Sequence, residues 1–257
     1  MSGFAFLDSP TPIAFAHRGA AAGGLENSMA AFEAAVHTGY RYLETDVRVT
    51  RDGVVVAFHD ATLDRVTDRS GRLASLPWRE VSKARIGGRE PIPLLEDVLT
   101  AWPDVRVNLD VKVTDAVGPL AGALRRAGAV DRVCVGAFSD ARLARVRAAV
   151  GPRLATSLGP RAVLSLRLAS LRGVRAAGPS AVPCVQVPPR VGTLVVVDRR
   201  FVAAAHDRGQ QVHAWTINGR AEMIRLLDLG VDGIMTDRAE LLRDVLAGRG
   251  QWHEESA

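Results

Sequence analysis

Glu44 and Asp46 stand one residue apart inside an apolar run, residues 40–49 of a 257-residue chain. On an extended strand, alternate side chains share a face. Glu44, Asp46 and Arg48 therefore point one way, and Leu43, Thr45 and Val47 the other. Neighbouring carboxylates on a buried strand repel and lose hydration, on the order of several kcal/mol. A bound cation relieves both costs, and hard oxygen donors suit magnesium or calcium. A solvated acidic face, or pairing of the acids with arginines, would also relieve them. The run then turns through Arg51-Asp52-Gly53 and returns over residues 54–58 to His59 and Asp60. Asp-Gly between apolar runs marks a hairpin. So short a connection forces antiparallel pairing, which brings His59 back toward the acids.

Other residues could share that chemistry. His17 closes a short apolar strand, residues 13–17, and is followed by Arg18 and Gly19. Two histidines beside a metal-held anion suit acid–base cleavage of a phosphodiester. One takes a proton from the attacking oxygen and the other gives one to the leaving oxygen. The metal, with Arg18 or Lys112, would stabilise charge on the phosphoryl oxygens. Asn108, Asp110 and Lys112 share one face of a further strand. Lys83 and Lys112 are the only lysines in an arginine-rich chain. Lysine at position 112 suggests a need for a compact point charge, such as one facing a phosphate oxygen; a salt bridge to Asp110 or Glu44 is the other reading. His213 reads as a hydrogen-bonded core residue. His37, His206 and His253 fall in helices or the tail and receive no role.

The elements that must position these groups follow a regular rhythm. Strand-like runs at 13–17, 40–49, 105–113, 132–138, 153–158, 181–187, 211–217 and 233–236 alternate with helical stretches, the last over 239–247. Such alternation implies a parallel sheet, and eight units in about 250 residues suit a (β/α)₈ barrel. The chain then forms one domain, residues 1–257. The irregular stretch at about 60–92 is a small insertion after strand two, lying over one end of the barrel. A doubly wound open sheet would want a Gly-rich dinucleotide fingerprint, which is absent. In a barrel, functional groups gather at the C-terminal ends of the strands. His17, Glu44, Asp46, Asp110, Lys112, the segment 213–218 and Asp237 would converge there. Residues 1–12 read as a loose lead-in and 250–257 as a frayed polar tail.

Composition narrows the class. The chain is 47% hydrophobic and 24% charged, with a formal net charge of +5. No apolar run approaches the roughly 20 residues of a membrane span, so stable membrane insertion is not expected. The N-terminus lacks a basic, then apolar, secretory pattern. Cys134 and Cys184 sit in apolar runs and read as buried and reduced, in keeping with a cytoplasmic protein. Arginines such as Arg142, Arg145, Arg167 and Arg172 are scattered through helical stretches and read as a solvated surface rather than a nucleic-acid footprint.

Six motifs, in order and spread over nearly the whole chain, resemble one family. They are His-Arg-Gly (17–19), Glu-Asn-Ser (26–28), Glu-Thr-Asp-Val (44–47), His-Asp (59–60), Trp-Thr-Ile-Asn (215–218) and Gly-Val-Asp-Gly-Ile-Met-Thr-Asp (230–237). Together they look like the glycerophosphodiester phosphodiesterase family, whose fold is a phosphatidylinositol-phosphodiesterase-like (β/α)₈ TIM barrel with a small insertion after strand two. The resemblance implies a general acid–base pair, His17 and His59. It implies one divalent cation, Ca²⁺ or Mg²⁺, on Glu44, Asp46 and Asp110. Arg18 and Lys112 would contact phosphate, and Trp215 and Phe138 would line the pocket for the alcohol. At position 110 the family pattern usually has Glu. Asp is one methylene shorter, roughly 1.5 Å less reach, so Asp110 would bind directly or through water. The implied reaction turns a small-molecule glycerophosphodiester into glycerol 3-phosphate and an alcohol. The neighbouring glycerol hydroxyl would attack first and water would open the resulting cyclic phosphate. The chain would act as a monomer or homodimer. A related barrel cleaving lysophospholipids or sphingolipids is the alternative; Leu73, Leu76 and Trp78 could supply its apolar rim. A non-catalytic phosphoester-binding barrel would have lost a histidine or the acidic pair, and all are present.

Overall fold

Strands covered on both faces are rich in Val, Leu and Ile on the outside, where helices pack. The described residues follow that rule: Leu43, Val47, Val107, Leu109, Val111, Val133 and Val135 are all buried in one cluster with helix residues such as Phe32, Leu99 and Leu120. The computed structural model describes residues 3–10, 12–20, 22–173 and 182–252. Among these residues, eight parallel strands form the ring: β1 (Ile13–His17), β2 (Tyr42–Val49), β3 (Arg106–Val111), β4 (Val133–Gly136), β5 (Ala155–Thr156), β6 (Cys184–Val187), β7 (Gln211–Ala214) and β8 (Gly233–Thr236). Each pairs with the next except β5 with β6, and β8 pairs with β1. The thinnest seam is between β5 and β6, joined by a bridge from Ser157 to Cys184 and a 2.9 Å bond from the Leu158 amide to the Cys184 carbonyl. The expected strand over 153–158 shortens to Ala155–Thr156 because Gly151-Pro152 and Gly159-Pro160 bracket it and cut the ladder at both ends. Residue 181, expected to begin strand six, lies outside the described residues.

Among the described residues, eight helices surround the ring: α1 (Met29–His37), α2 (Leu95–Ala101), α3 (Val117–Arg126), α4 (Asp140–Val150), α5 (Pro160–Arg172), α6 (Arg199–His206), α7 (Arg220–Asp228) and α8 (Ala239–Gly248). Local chemistry sets their starts. Ser28 Oγ accepts from the Ala31 amide at 3.1 Å, and Asp198 accepts from the Phe201 amide at 2.9 Å, each taking up an otherwise orphaned donor. Pro160 occupies the first turn of α5, where its missing N–H costs nothing.

The hairpin expected after strand two is present. Val55–Ala57 pairs antiparallel with Val47–Val49, and Gly53 turns the corner at φ +84°. The irregular stretch that follows has a small core of its own, in which Leu63, Leu73, Val81 and Ile86 are buried with Val56 and Phe58.

Both termini are better packed than their composition implied. Phe6, in the lead-in, is fully buried against Phe15 and Tyr42 at the N-terminal end of the barrel. The Tyr42 hydroxyl bonds the Phe6 carbonyl at 2.7 Å. A ring of eight strands must be filled from within, and this end is filled by aromatic side chains. In the tail, Trp252 docks edge-on to the buried Tyr40 with ring centroids 5.3 Å apart. The rest of the expected tail, residues 253–257, lies outside the described residues.

Candidate active site

Strand register sets the layout. His17 is level with Glu44, Glu44 with Asn108, and Asp46 with Asp110. Carboxylates from β2 and β3 thus face the same interior, with Lys112 just beyond. Glu44 is only 4% exposed and Asp46 only 1%. Burial, reinforced by the charge of Asp46, pushes the Glu44 carboxyl up to about 7. Asp46 goes the other way. Burial opposes its charge, but the Lys112 and Arg18 cations and the Asn27 amide outweigh it and hold it below the usual carboxylate range. Lys112 Nζ bridges the two strands, 2.8 Å from Asp46 and 2.6 Å from Asp110. The bridge runs to Asp110 and Asp46 rather than to Glu44.

The histidines come in matched settings. His17 Nδ1 lies 2.5 Å from Asp237 Oδ1, and His59 Nδ1 lies 2.5 Å from Asp60 Oδ1. A carboxylate can only accept, so each Nδ1 carries the proton and each Nε2 is left for other work. His17 Nε2 is 3.7 Å from Glu44 Oε2. Burial works against charge on His17, but Glu44 and the Asp237 bond prevail, and its pKa is raised. The aspartates are themselves held. Asn218 donates to Asp237 at 2.7 Å. Arg65 grips Asp60 with bonds of 2.6 and 3.1 Å and reaches on to Glu26.

Arg18 has a left-handed backbone, φ +54°, uncommon for a residue with a side chain. This turn aims its amide at Glu44 Oε2, 3.2 Å away, and its guanidinium at Glu26, 2.9 Å away. Arg18 Nε is 3.2 Å from Asp46 Oδ2, close enough for charge attraction but off line for a hydrogen bond. Gly19 follows at φ +81°, and a Cβ there would meet the Ala31 carbonyl carbon at 2.6 Å. The His-Arg-Gly run therefore needs its glycine for room as well as for backbone freedom.

His17, Arg18, Glu44, Asp46, His59, Asp110, Lys112, Phe138 and Trp215, all expected as site residues, line one cavity of about 570 Å³. Phe138 and Trp215 meet edge to face, 5.7 Å between centroids, on the wall away from the acids. His213 is fully buried below, hydrogen-bonded to Gln211. The expected apolar rim is not where the sequence suggested. Leu73 is buried, and Leu76 and Trp78 pack on the insertion's core. An insertion without a regular period must bury its few apolar residues to hold itself together. Two of the arginines taken for solvated surface are also engaged inward. Arg167 is buried and pairs with Asp198 at 2.9 Å, and Arg142 donates to the Val111 carbonyl.

Several supporting residues escaped the sequence reading. Asn27, at φ +59°, donates to Asp46 at 3.0 Å and accepts from Thr45 at 2.7 Å. Arg48 donates to the His59 carbonyl at 2.7 Å, tying down the end of the hairpin. The available signal was the alternation that puts Arg48 on the face of Glu44, and the Asn at a helix start that Ser28 already caps.

The acids at the centre of the cavity suit a divalent cation by their own chemistry. Asp110 Oδ1 is buried and has no hydrogen-bond partner. Glu44 is a buried carboxylate met by a single backbone donor. Both are hard oxygen donors whose burial is costly without a cation, and they fit calcium or magnesium. Among the described residues, no group of three or more His, Cys, Asp or Glu closes into a ready-made cage, because the Lys112 ammonium occupies the space between Asp46 and Asp110.

Comparison with known proteins places the family and the fold. Residues 17–241 match the model of the glycerophosphoryl diester phosphodiesterase family. The "Probable glycerophosphodiester phosphodiesterase 2" of Mycobacterium tuberculosis is 45% identical over 251 residues, covering 96% of this chain and 95% of that protein. A glycerophosphodiester phosphodiesterase of Caldanaerobacter subterraneus is 28% identical, covering 93% and 99%. Among solved structures, the Agrobacterium tumefaciens glycerophosphodiester phosphodiesterase superposes with a TM-score of 0.74 at 22% identity, covering 92% of this chain and 99% of the other. An Oleispira antarctica phosphodiesterase, solved with its product sn-glycerol-3-phosphate, gives 0.78 at 22%, covering 92% and 97%. At such identities the structures speak to the fold, a TIM barrel. With the family model spanning most of its length, the chain belongs to the glycerophosphoryl diester phosphodiesterase family, enzymes that hydrolyse phosphoric diesters.

Proposed function

We propose that the protein hydrolyses a small glycerophosphodiester to glycerol 3-phosphate and an alcohol, with His17 and His59 as the acid–base pair. One observation carries this reading: both histidines line a single cavity while an aspartate holds each Nδ1. A pair set this way can accept a proton at one Nε2 and release one at the other. Arg18 and Lys112 lie where they can meet phosphoryl oxygens. Phe138 and Trp215 flank the room left for the alcohol.

Glu44, Asp46 and Asp110 would hold one divalent cation, calcium or magnesium, which would offset the charge developing on the phosphoryl group. The attacking oxygen is the neighbouring glycerol hydroxyl, which is already beside the phosphorus and needs no capture from solvent. Water then opens the cyclic phosphate. Equal rates for diesters lacking that hydroxyl would count against this route. Two free, buried thiols 3.8 Å apart agree with a reducing compartment such as the cytoplasm.

Glycerol 3-phosphate release from a panel of glycerophosphodiesters, with EDTA and then with calcium or magnesium, tests the reading. Loss of turnover in EDTA and in His17→Ala and His59→Ala is expected. Metal-independent turnover, or full activity in either variant, overturns the site assignment.

A further inference from the structure

Charge is spread unevenly along this chain. Residues 141–197 hold nine arginines and no aspartate or glutamate, although the whole protein carries a net charge of only +5, so the remainder is acidic on balance. The same stretch holds most of the bare apolar surface. Among the described residues, seven large apolar side chains are left exposed, and five of them, Leu164, Leu168, Leu171, Val191 and Leu194, fall within it. Leu164, Leu168 and Leu171 recur at helical spacing on the outward face of α5, where a solvated helix would carry polar groups. Arg161 and Arg172 stand exposed at the two ends of that stripe. Val191 and Leu194 face each other across a two-stranded hairpin, Arg190–Val191 with Leu194–Val195, and Arg190 is exposed beside them. Leu164, Val191 and Leu194 also line the catalytic cavity, so helix and hairpin form one face that runs to its mouth. The acids bordering this face are engaged. Asp140 accepts from the Arg161 amide at 3.4 Å, and Glu222, which feels the Arg190 charge, is gripped by Arg225 at 2.6 and 2.7 Å.

We propose that this face docks on the surface of an anionic phospholipid bilayer. The leucine and valine side chains enter the boundary between headgroups and acyl chains, and the arginines meet the acidic oxygens above it. Among the described residues, no helix is long and apolar enough to cross a membrane, so the contact is with one leaflet. Charge selects this partner over others. A second copy of the chain would bring Arg161, Arg172 and Arg190 toward their own counterparts, with no acid on the face to meet them. A nucleic acid would satisfy the arginines but leave the five apolar side chains in water. A bilayer with acidic headgroups uses both. Docking brings the cavity mouth to the headgroup layer, and it does not depend on which diester the cavity takes.

Co-sedimentation compares vesicles of phosphatidylcholine alone with vesicles of phosphatidylcholine and phosphatidylglycerol in equal parts, at low salt and with the divalent cation held fixed. Three exposed arginines make at least about a tenfold preference for the mixed vesicles the expected result, shrinking as salt is raised. Leu168→Ser/Leu171→Ser and Arg161→Gln/Arg172→Gln change residues outside the cavity. Each pair is expected to weaken binding about tenfold while turnover of sn-glycero-3-phosphocholine and the melting temperature hold. Should one pair lower the melting temperature, the other decides. Arg79→Gln/Arg89→Gln, which removes two exposed arginines elsewhere, is expected to bind as the wild type does. No vesicle binding by the wild type, equal binding to both vesicles, or an equal loss on changing Arg79 and Arg89 overturns the proposal. A dimer by light scattering, or binding to a DNA duplex, that the first two pairs abolish while vesicles go unbound assigns the face to that partner and overturns it as well.

Discussion

His17 and His59 meet a carboxylate at the same ring atom, and this is the residue-scale feature with the largest expected effect. A ring free to rotate or to change tautomer offers the wrong nitrogen part of the time. Asp237→Asn is expected to lower kcat about 10²-fold with KM nearly unchanged, since the partner acts through His17 rather than on substrate. Steady-state kinetics separates the two; an equal rise in KM would mean a packing role. Asp60 has a further signature. The Arg65 hydrogen bond, aided by His59 against partial burial, brings its carboxyl down to about 2. Its ordinary value is about 3.9, so the folded form binds its proton more weakly than the unfolded chain. The stabilisation is therefore complete above about pH 4 and is lost as pH falls through about 2. Melting curves of wild type and Asp60→Asn should converge toward pH 2 and separate above pH 4. The His17 pairing was hidden in the sequence because Asp237 is 220 residues away, whereas Asp60 directly follows His59. The residue types were legible; the distant partner was not.

At the scale of elements, the loop after β1 and the hairpin after β2 do most of the positioning. Gly19→Ala combines an unfavourable φ with a clash against the α1 backbone and should cost about 2 kcal/mol or more. Urea unfolding measures that cost, and activity should fall with it because Arg18 and His17 share the turn. The hairpin could be read from period-two alternation and Asp-Gly, both local signals. The insertion could be placed, but its packing could not. Leu73, Leu76 and Trp78 have no period to show which face is inward, and the structure turns them into their own core. Conversely, the apolar mouth is built by α5 and a short hairpin whose exposed leucines and valines look, in sequence, like any buried run.

For the whole molecule, the barrel has a chemical end and a structural end. The eight-fold alternation was legible because each strand and helix declares itself over a few residues, whereas Phe6 was not, since its place depends on ring closure by residues far along the chain. Phe6→Ala removes a buried aromatic plug at the N-terminal end and should cost about 3–5 kcal/mol. Well below its melting temperature this variant should keep its kcat, because the cavity opens at the other end. On the proposed cation site, the acids would add a ligand-linked contribution. A divalent cation at about a hundred times its Kd should raise stability by about 2.7 kcal/mol. Thermal melts with cation or EDTA should show this gain in the wild type and little of it in Glu44→Gln.

The two unlike cavity walls also come from different lengths of chain. From His17 to Lys112 the protein supplies the acids, the histidines and Lys112, while the greasy side, with Ser157, Arg167 and Gln186 among it, is drawn mostly from residues 138–215. What is cut and how it is cut are therefore drawn largely from different lengths of chain, with Asp237 as the rear residue that holds His17. A chimera joining the front of this barrel to the rear of a cousin should inherit the cousin's taste in leaving groups and keep its own reaction only where the cousin supplies an aspartate in the place of Asp237, so diversification within such a scaffold can proceed by trading halves that preserve that one contact.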